Sequence, residues 1–157
     1  MARVAVLLTS TPVVQDVVNL LRNDAIIRHV SLELDLDPGL PRVLVDSVQL
    51  QQVLVNLLMN AFDALGSARE RRTLVTTRKA GTAIQVSVKD SGSGIPVADL
   101  AQIFDPFYTT KSSGLGMGLS IARSLIEANG GQVWAENNKD DGATLTFTVP
   151  VMEDHDG

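Results

Sequence analysis

Thr73-Leu-Val-Thr-Thr-Arg-Lys-Ala-Gly-Thr-Ala-Ile-Gln-Val-Ser-Val-Lys-Asp-Ser-Gly-Ser-Gly-Ile-Pro96 is the stretch on which the fold turns. Two alternating runs, 73–79 and 83–90, flank Gly81 in the pattern of a β-hairpin. Ile84, Val86 and Val88 share one side of the second strand, opposite Gln85, Ser87 and Lys89, and the alternation carries Asp90 onto the apolar side. A carboxylate aimed at a core is expensive unless it is hydrogen-bonded. Asp90 stands just before Ser91-Gly-Ser-Gly94, where the backbone can bend away and leave a cleft. An acceptor at the end of an apolar slot suits the exocyclic amine of an adenine; equally, Asp90 can cap an Asp-Ser-Gly turn. The residues leave both readings open.

Outward from the hairpin, Thr11-Pro12 reads as a helix start, with apolar residues at helical spacing to Arg28. Residues 31–36 alternate as a half-buried strand, 38–41 form a turn, and 42–45 are extended. Asp46 followed by Gln49 resembles a capping box and opens the longest helix, 46–68. A short helix is expected over 97–103, a loop over 105–118, and a helix over 119–129 that ends at Gly130. Strands 132–137 and 144–150 are joined by the turn 138–142. Before Thr11 the chain reads either as a short strand or as the remnant of an upstream linker. Residues 13–151 are expected to form one domain, with 152–157 a frayed tail. Hairpins and about three helices predict an α/β (α+β) two-layer sandwich, with a mixed, mostly antiparallel sheet of about five strands covered on one face.

The chain has 157 residues, a net charge of −5, two histidines and no cysteine. That length suits one domain, and 45 % apolar against 20 % charged residues supports a true core. Lack of cysteine excludes a disulfide framework, a thiolate metal site and a cysteine nucleophile. His29 and His155 alone cannot build a histidine-rich zinc site. The acid excess argues against a broad electrostatic hold on nucleic acid, though not against a small phosphate ligand bound by backbone N–H groups and a metal. No stretch approaches the ~18–20 apolar residues of a membrane span, and the run 4–8 is too short for a signal peptide. The chain therefore reads as soluble and cytoplasmic, with a membrane-anchored parent protein left open.

Two further segments break the rules of their own elements. On the long helix, Leu50, Val53, Leu54, Leu57, Leu58, Ala61 and Leu65 form an apolar sector, and Gln49, Gln52, Asn56, Asn60 and Asp63 line up beside it. Asparagine is a poor helix former, so two of them one turn apart ask for a reason. Amide carbonyls and a carboxylate on one line can ligate a hard cation; an amide-rich polar face or a partner surface is the plainer alternative. The other segment is Gly114-Leu-Gly116-Met-Gly118, which runs into a helix whose N-terminal amides can surround a phosphate. Its spacing fits neither the dinucleotide fingerprint nor a P-loop, and no His-Arg-Asp catalytic loop is present.

In combination these segments resemble the ATP-binding catalytic domain of bacterial sensor histidine kinases, in the superfamily shared with DNA gyrase, the Hsp90 chaperones and MutL. Asn56-Leu-Leu-Met-Asn60-Ala-Phe-Asp63 is similar to the N box and Asp90-Ser-Gly92-Ser-Gly94-Ile95-Pro96 to the G1 box. Ile103-Phe104-Asp-Pro-Phe107-Tyr108-Thr-Thr110-Lys111 is similar to the F box, and Gly114-Leu115-Gly116-Met117-Gly118-Leu119-Ser120 to the G2 box. The resemblance implies a Bergerat-type fold with a mobile ATP lid whose ends Phe104 and Phe107 anchor. It implies that Asn60 binds Mg²⁺, with Asn56 beside metal and phosphates. Asp90 matches the adenine-binding aspartate, with Gly92 and Gly94 shaping the pocket, and Thr144 a polar position near the ring. Lys111 is the implied cation for the β- and γ-phosphates, and Gly116 and Gly118 the implied amides. Asp63, Ile95, Tyr108, Thr110, Gly114, Leu115, Met117 and Leu119 complete the implied ATP site.

Where water-activating members of the superfamily carry a glutamate base, this chain has Asn56. An amide cannot act as a base, so delivery of phosphate to a side chain fits better than rapid hydrolysis. The implied reaction is transfer of the γ-phosphoryl group to a histidine on a separate dimerisation domain, then onward to a response regulator. Neither His29-Val30 nor His155-Asp156 sits in the acceptor's usual context, so the chain reads as a catalytic fragment, monomeric when isolated. Two alternatives stand beside it: a nucleotide-binding regulatory module with little transfer, and an anti-sigma-factor-type serine kinase.

Overall fold

The computed structural model describes residues 4–6, 12–106 and 118–151. In chain order the elements are β1 (Val4–Val6), α1 (Pro12–Ile27), β2 (Ser31–Leu36), β3 (Val43–Val45), α2 (Ser47–Leu65), β4 (Arg72–Ala80), β5 (Ala83–Asp90), a 3₁₀ turn (Val97–Asp99), α3 (Gly118–Ala128), β6 (Val133–Asn137) and β7 (Ala143–Pro150). Strands β2-β4-β5-β7-β6 make a five-stranded sheet, and β1 pairs with β3 in a two-stranded one. Only the β2–β4 pair of the larger sheet is parallel. The 19-residue α2 lies between those two strands in sequence, and parallel neighbours need such a crossover. The expected two-layer architecture with five strands and three helices is therefore present.

All three helices lie on one sheet face. Val14, Val17, Val18, Leu21 and Ala25 of α1 are buried, as is the full expected stripe of α2 from Leu50 to Leu65. Both meet Val75, Ile84, Val86, Val88, Leu145, Phe147 and Val149 from the sheet. The long α2 is the centre of this layer, packed against α1, α3 and β5. The other face is polar: Ser87 and Thr146 share a 3.1 Å hydroxyl contact, with Trp134 paired opposite Thr146.

The ends of the helices obey local chemistry. Asp46 caps α2 by accepting from the Gln49 N–H at 3.0 Å. The Gln49 side chain turns elsewhere, accepting from Asn129 Nδ2, so only half of the capping box forms. Helix α2 stops at Leu65, three residues before the expected end, because Gly66 takes a positive φ of 48°. Both α1 and α3 end in Schellman motifs: Val30 N–H donates to Ala25 O and His29 N–H to Ile26 O, matched by Gly131 to Ile126 and Gly130 to Glu127. His29 holds the left-handed position, φ 58°, that Gly130 holds in α3. The helix expected over 97–103 is a single 3₁₀ turn followed by further tight turns. Pro96 opens it, and Asp99 N–H and Leu100 N–H donate to the carbonyls three residues back.

Candidate functional site

Asp90 closes β5 on the helix-facing side, as the alternation predicts, and is only 4 % exposed. Its Oδ1 accepts from the Gly92 N–H at 2.9 Å and lies 3.4 Å from the Ala143 N–H. Burial pushes the carboxyl above the usual carboxylate range, and the two backbone donors pull it back only in part. Both of these backbone donors go to Oδ1, so Oδ2 retains acceptor capacity.

The loop after Asp90 is pinned from three sides. From α2, Gly92 presses so closely on Ala64 that a Cβ would lie 2.3 Å from its carbonyl oxygen. From β4, Ser91 Oγ accepts from Arg72 N–H at 2.9 Å and donates to Glu70 O at 2.8 Å. From the end of β6, Asn137 grips Ile95 twice, accepting from its N–H at 2.7 Å and donating to its carbonyl at 2.8 Å. Gly94, at φ 84°, leaves room for that amide, since a Cβ there would sit 2.9 Å from Asn137 Oδ1. Gly142, at φ 91°, does the same for Asp90: its Cβ would fall 2.0 Å from Asp90 O and 2.8 Å from Oδ1. Asn138 Nδ2 donates to Asp90 O at 3.1 Å.

The amide line on α2 makes contacts of its own. Gln52 Nε2 donates to Asn56 Oδ1 at 2.7 Å, and Asn56 Nδ2 donates to Gly118 O at 2.9 Å. Asn56 thus ties α2 to the first residue of α3. Asn60, one turn on, is half-buried. Asp63 is placed differently: it ion-pairs with Arg28 at 2.8 Å across the α1–α2 contact. Phe104 and Ile103 are buried in the main core. Leu119 packs partly against that core, and no described atom comes within 4 Å of a Cβ built on Gly118.

Thr144 is not brought to Asp90. It pairs with Lys89, so the alternation sends its side chain to the opposite, polar face. There its hydroxyl donates to Asn138 Oδ1 at 2.6 Å, and the place beside the carboxylate belongs to Ala143. The implied site residues Phe107, Tyr108, Thr110, Lys111, Gly114, Leu115, Gly116 and Met117 lie outside the described residues. Four residues around Asp90 escaped the sequence reading: Asn137, Asn138, Gly142 and Ala143. The only signal was an Asn-Asn pair before a Gly-terminated turn, which ordinary turn chemistry explains equally well.

Comparison with known proteins gives the family and the fold. The model of the family described as histidine kinase-, DNA gyrase B-, and HSP90-like ATPase matches residues 45–153. Sensor protein FixL of Bradyrhizobium diazoefficiens is 47 % identical over 129 residues, covering 82 % of this chain and 26 % of that protein. The chain thus spans about a quarter of that relative's length. The solved catalytic domain of histidine kinase ThkA superposes with a TM-score of 0.84 at 34 % identity, covering 96 % of both chains. ThkA in complex with the response regulator protein TrrA superposes at 0.80, with 31 % identity over 96 % of this chain and 42 % of that one.

Proposed function

The chain belongs to the histidine kinase-, DNA gyrase B-, and HSP90-like ATPases, as a histidine kinase catalytic domain, and we propose that it binds ATP with Mg²⁺ and donates the γ-phosphoryl group to a histidine on a separate dimerisation domain. The observation that carries this reading is Asp90, a buried carboxylate with one oxygen saturated by backbone donors. Such a group matches the amine of a ligand that reaches the end of β5.

The chemistry requires a P–O bond to the β-phosphate to break as a P–N bond to the imidazole forms, with ADP leaving and the imidazole proton passing to solvent. This is mostly a matter of positioning and charge neutralisation. Asp90 and its glycine-shaped surroundings hold the base. Asn60 and Asn56 offer amide oxygens on one helix face, a donor type that suits Mg²⁺, which needs few protein ligands once phosphates share its shell. No cluster of three or more His, Asp or Glu side chains stands ready for a metal among the described residues, so the fit is to a metal arriving with the nucleotide. Bound there, Mg²⁺ would neutralise phosphate oxygens. Lys111 and the amides of Gly116 and Gly118 are proposed to add to that neutralisation.

Asn56 donates to Gly118 O and accepts from Gln52. It holds the start of α3 and has no capacity to activate water, which favours a side-chain acceptor over hydrolysis. His29 takes the left-handed position just after α1 and closes that helix, which supports an acceptor on another domain, with a response regulator downstream. The test mixes this chain with radiolabelled ATP and candidate dimerisation domains. Acid-labile, base-stable label on the partner is the expected result; label on serine, or none despite ATP binding, would overturn histidine transfer.

A further inference from the structure

Gln49 forgoes the second half of its capping box to hold a residue at the end of another helix. Its backbone N–H is taken by Asp46, which fixes it in the first turn of α2, and its Oε1 accepts from Asn129 Nδ2 at 3.0 Å. Asn129 follows the last residue of α3 and also donates to Leu125 O at 2.7 Å. It is only 6 % exposed, in a gap lined by Val45, Leu50, Val53, Ile126 and Val149. That gap has no room for a water molecule, and Asn129 Oδ1 has no hydrogen-bond partner among the described residues. A buried acceptor left unmet is a cost, and leucine would suit these apolar surroundings better. Stability therefore does not explain an amide at this place.

A polar pair inside an apolar helix contact fixes register, because any slip leaves its buried groups unpaired. Helix α3 needs such a device, since only Ser120, Ala122 and Ile126 of its 11 residues are buried. It runs antiparallel to α2: Gly118 at its start meets Asn56, and Asn129 past its end meets Gln49. We propose that Gln49 and Asn129 are positioning residues whose pairing sets the register of α3 along α2, and through it the place of Gly118 at the phosphate end of the nucleotide site. This rests on the ATP-binding reading above, in which the start of α3 meets the phosphates. A helix of this length carries a shift at one end to the other over about 16 Å. Without the far pin, α3 is free to slide or tilt, and Gly118 O leaves Asn56. The carboxylate of Asp90 is held by Gly92 and Ala143 and does not depend on this pair. Base and phosphates are thus positioned by separate parts of the fold.

The test uses the 157-residue chain as wild type, Gln49→Met, Asn129→Leu, the double variant and Gln49→Glu. Calorimetry with ATP and Mg²⁺, and with adenosine, separates phosphate from base, and thermal melting reads stability. Gln49→Met and Asn129→Leu should each weaken ATP binding about three- to tenfold, leave adenosine binding unchanged, and melt no lower than wild type. The double variant should lose no more than either single one, since both remove the same contact. Gln49→Glu keeps the acceptor oxygen and should retain wild-type affinity. In nucleotide-free protein, the Asn56 side-chain amide signals in NMR should shift in Asn129→Leu and stay in place in Gln49→Glu. Unchanged ATP affinity in Gln49→Met, an equal loss for ATP and adenosine, or unmoved Asn56 signals overturns the assignment. So does a lowered melting temperature with unaltered affinity, which would make the pair purely structural. Failure of wild type to bind ATP would overturn the ATP-binding reading itself, while the Asn56 signals still decide whether the pair sets the register of α3.

Discussion

Replacing Asp90 with asparagine should separate recognition from folding. The carboxylate's Oδ1 takes the Gly92 N–H and faces the Ala143 N–H. In Asp90→Asn the new amide would keep both by placing its carbonyl oxygen there, which forces its NH₂ group into the place of Oδ2. An adenine amine arriving at that point then meets a donor instead of an acceptor. The loss of a charge-assisted hydrogen bond, about 1.5–3 kcal/mol, adds to the cost of an unmet donor, about 1–3 kcal/mol. A penalty of about 3 kcal/mol or more corresponds to at least a hundredfold in Kd. The fold should not suffer, because burial of the carboxylate is itself a cost, as the upward shift of its pKa records. Titration calorimetry with ATP and thermal melting on the same preparations read the two effects. A folded Asp90→Asn protein with wild-type affinity would refute the argument, and so would a melting temperature lowered by several degrees.

The pH dependence carries the same signature with opposite signs. Asp90 is raised in the folded state by desolvation, against the pull of the Gly92 and Ala143 donors. Its contribution to stability is therefore fully present below the unfolded-state value and is lost as pH rises through the folded-state value. Nucleotide affinity runs the other way, falling as pH drops through the folded-state value and the acceptor is protonated. Both trends should vanish in Asp90→Asn, which controls for protonation of the nucleotide.

Other perturbations test other parts of the structure. His29→Gly should stabilise the chain by about 1 kcal/mol in urea denaturation, since a side chain in the left-handed region costs about that much and glycine avoids it; transfer to an acceptor domain should be unchanged. Gly142→Ala should destabilise by about 2 kcal/mol or more and weaken ATP binding, because its methyl would fall 2.0 Å from Asp90 O at a strained φ of 91°. Melting and calorimetry check both, and a stable Gly142→Ala protein would show that the turn can yield. Asn60→Ala should abolish the Mg²⁺ dependence of ATP affinity while leaving Mg²⁺-free binding nearly intact; an unaltered Mg²⁺ titration would remove Asn60 from the metal's shell.

Much of this was readable from local chemistry. The hairpin, the stripe on α2, the Asp46 cap and the burial of Asp90 follow from periods of two and 3.6 residues and from capping, which act between near neighbours. The same period, continued along β7, would have placed Thr144 away from Asp90, but only once the pairing of Lys89 with Thr144 is known. Family resemblance supplied the four boxes, but a position in a motif does not say which face a strand presents, and Thr144 faces away from Asp90.

The elements themselves, the two layers and the carboxylate turned toward the core were already written in the order of residues, because each depends on neighbours a few places apart. The parallel pairing of β2 with β4 was not, nor was the closure of Asn137, Asn138, Gly142 and Ala143 around Asp90 from about fifty positions away. Such meetings are fixed by strand register and by close backbone approach at glycine, which depend on how the whole core packs.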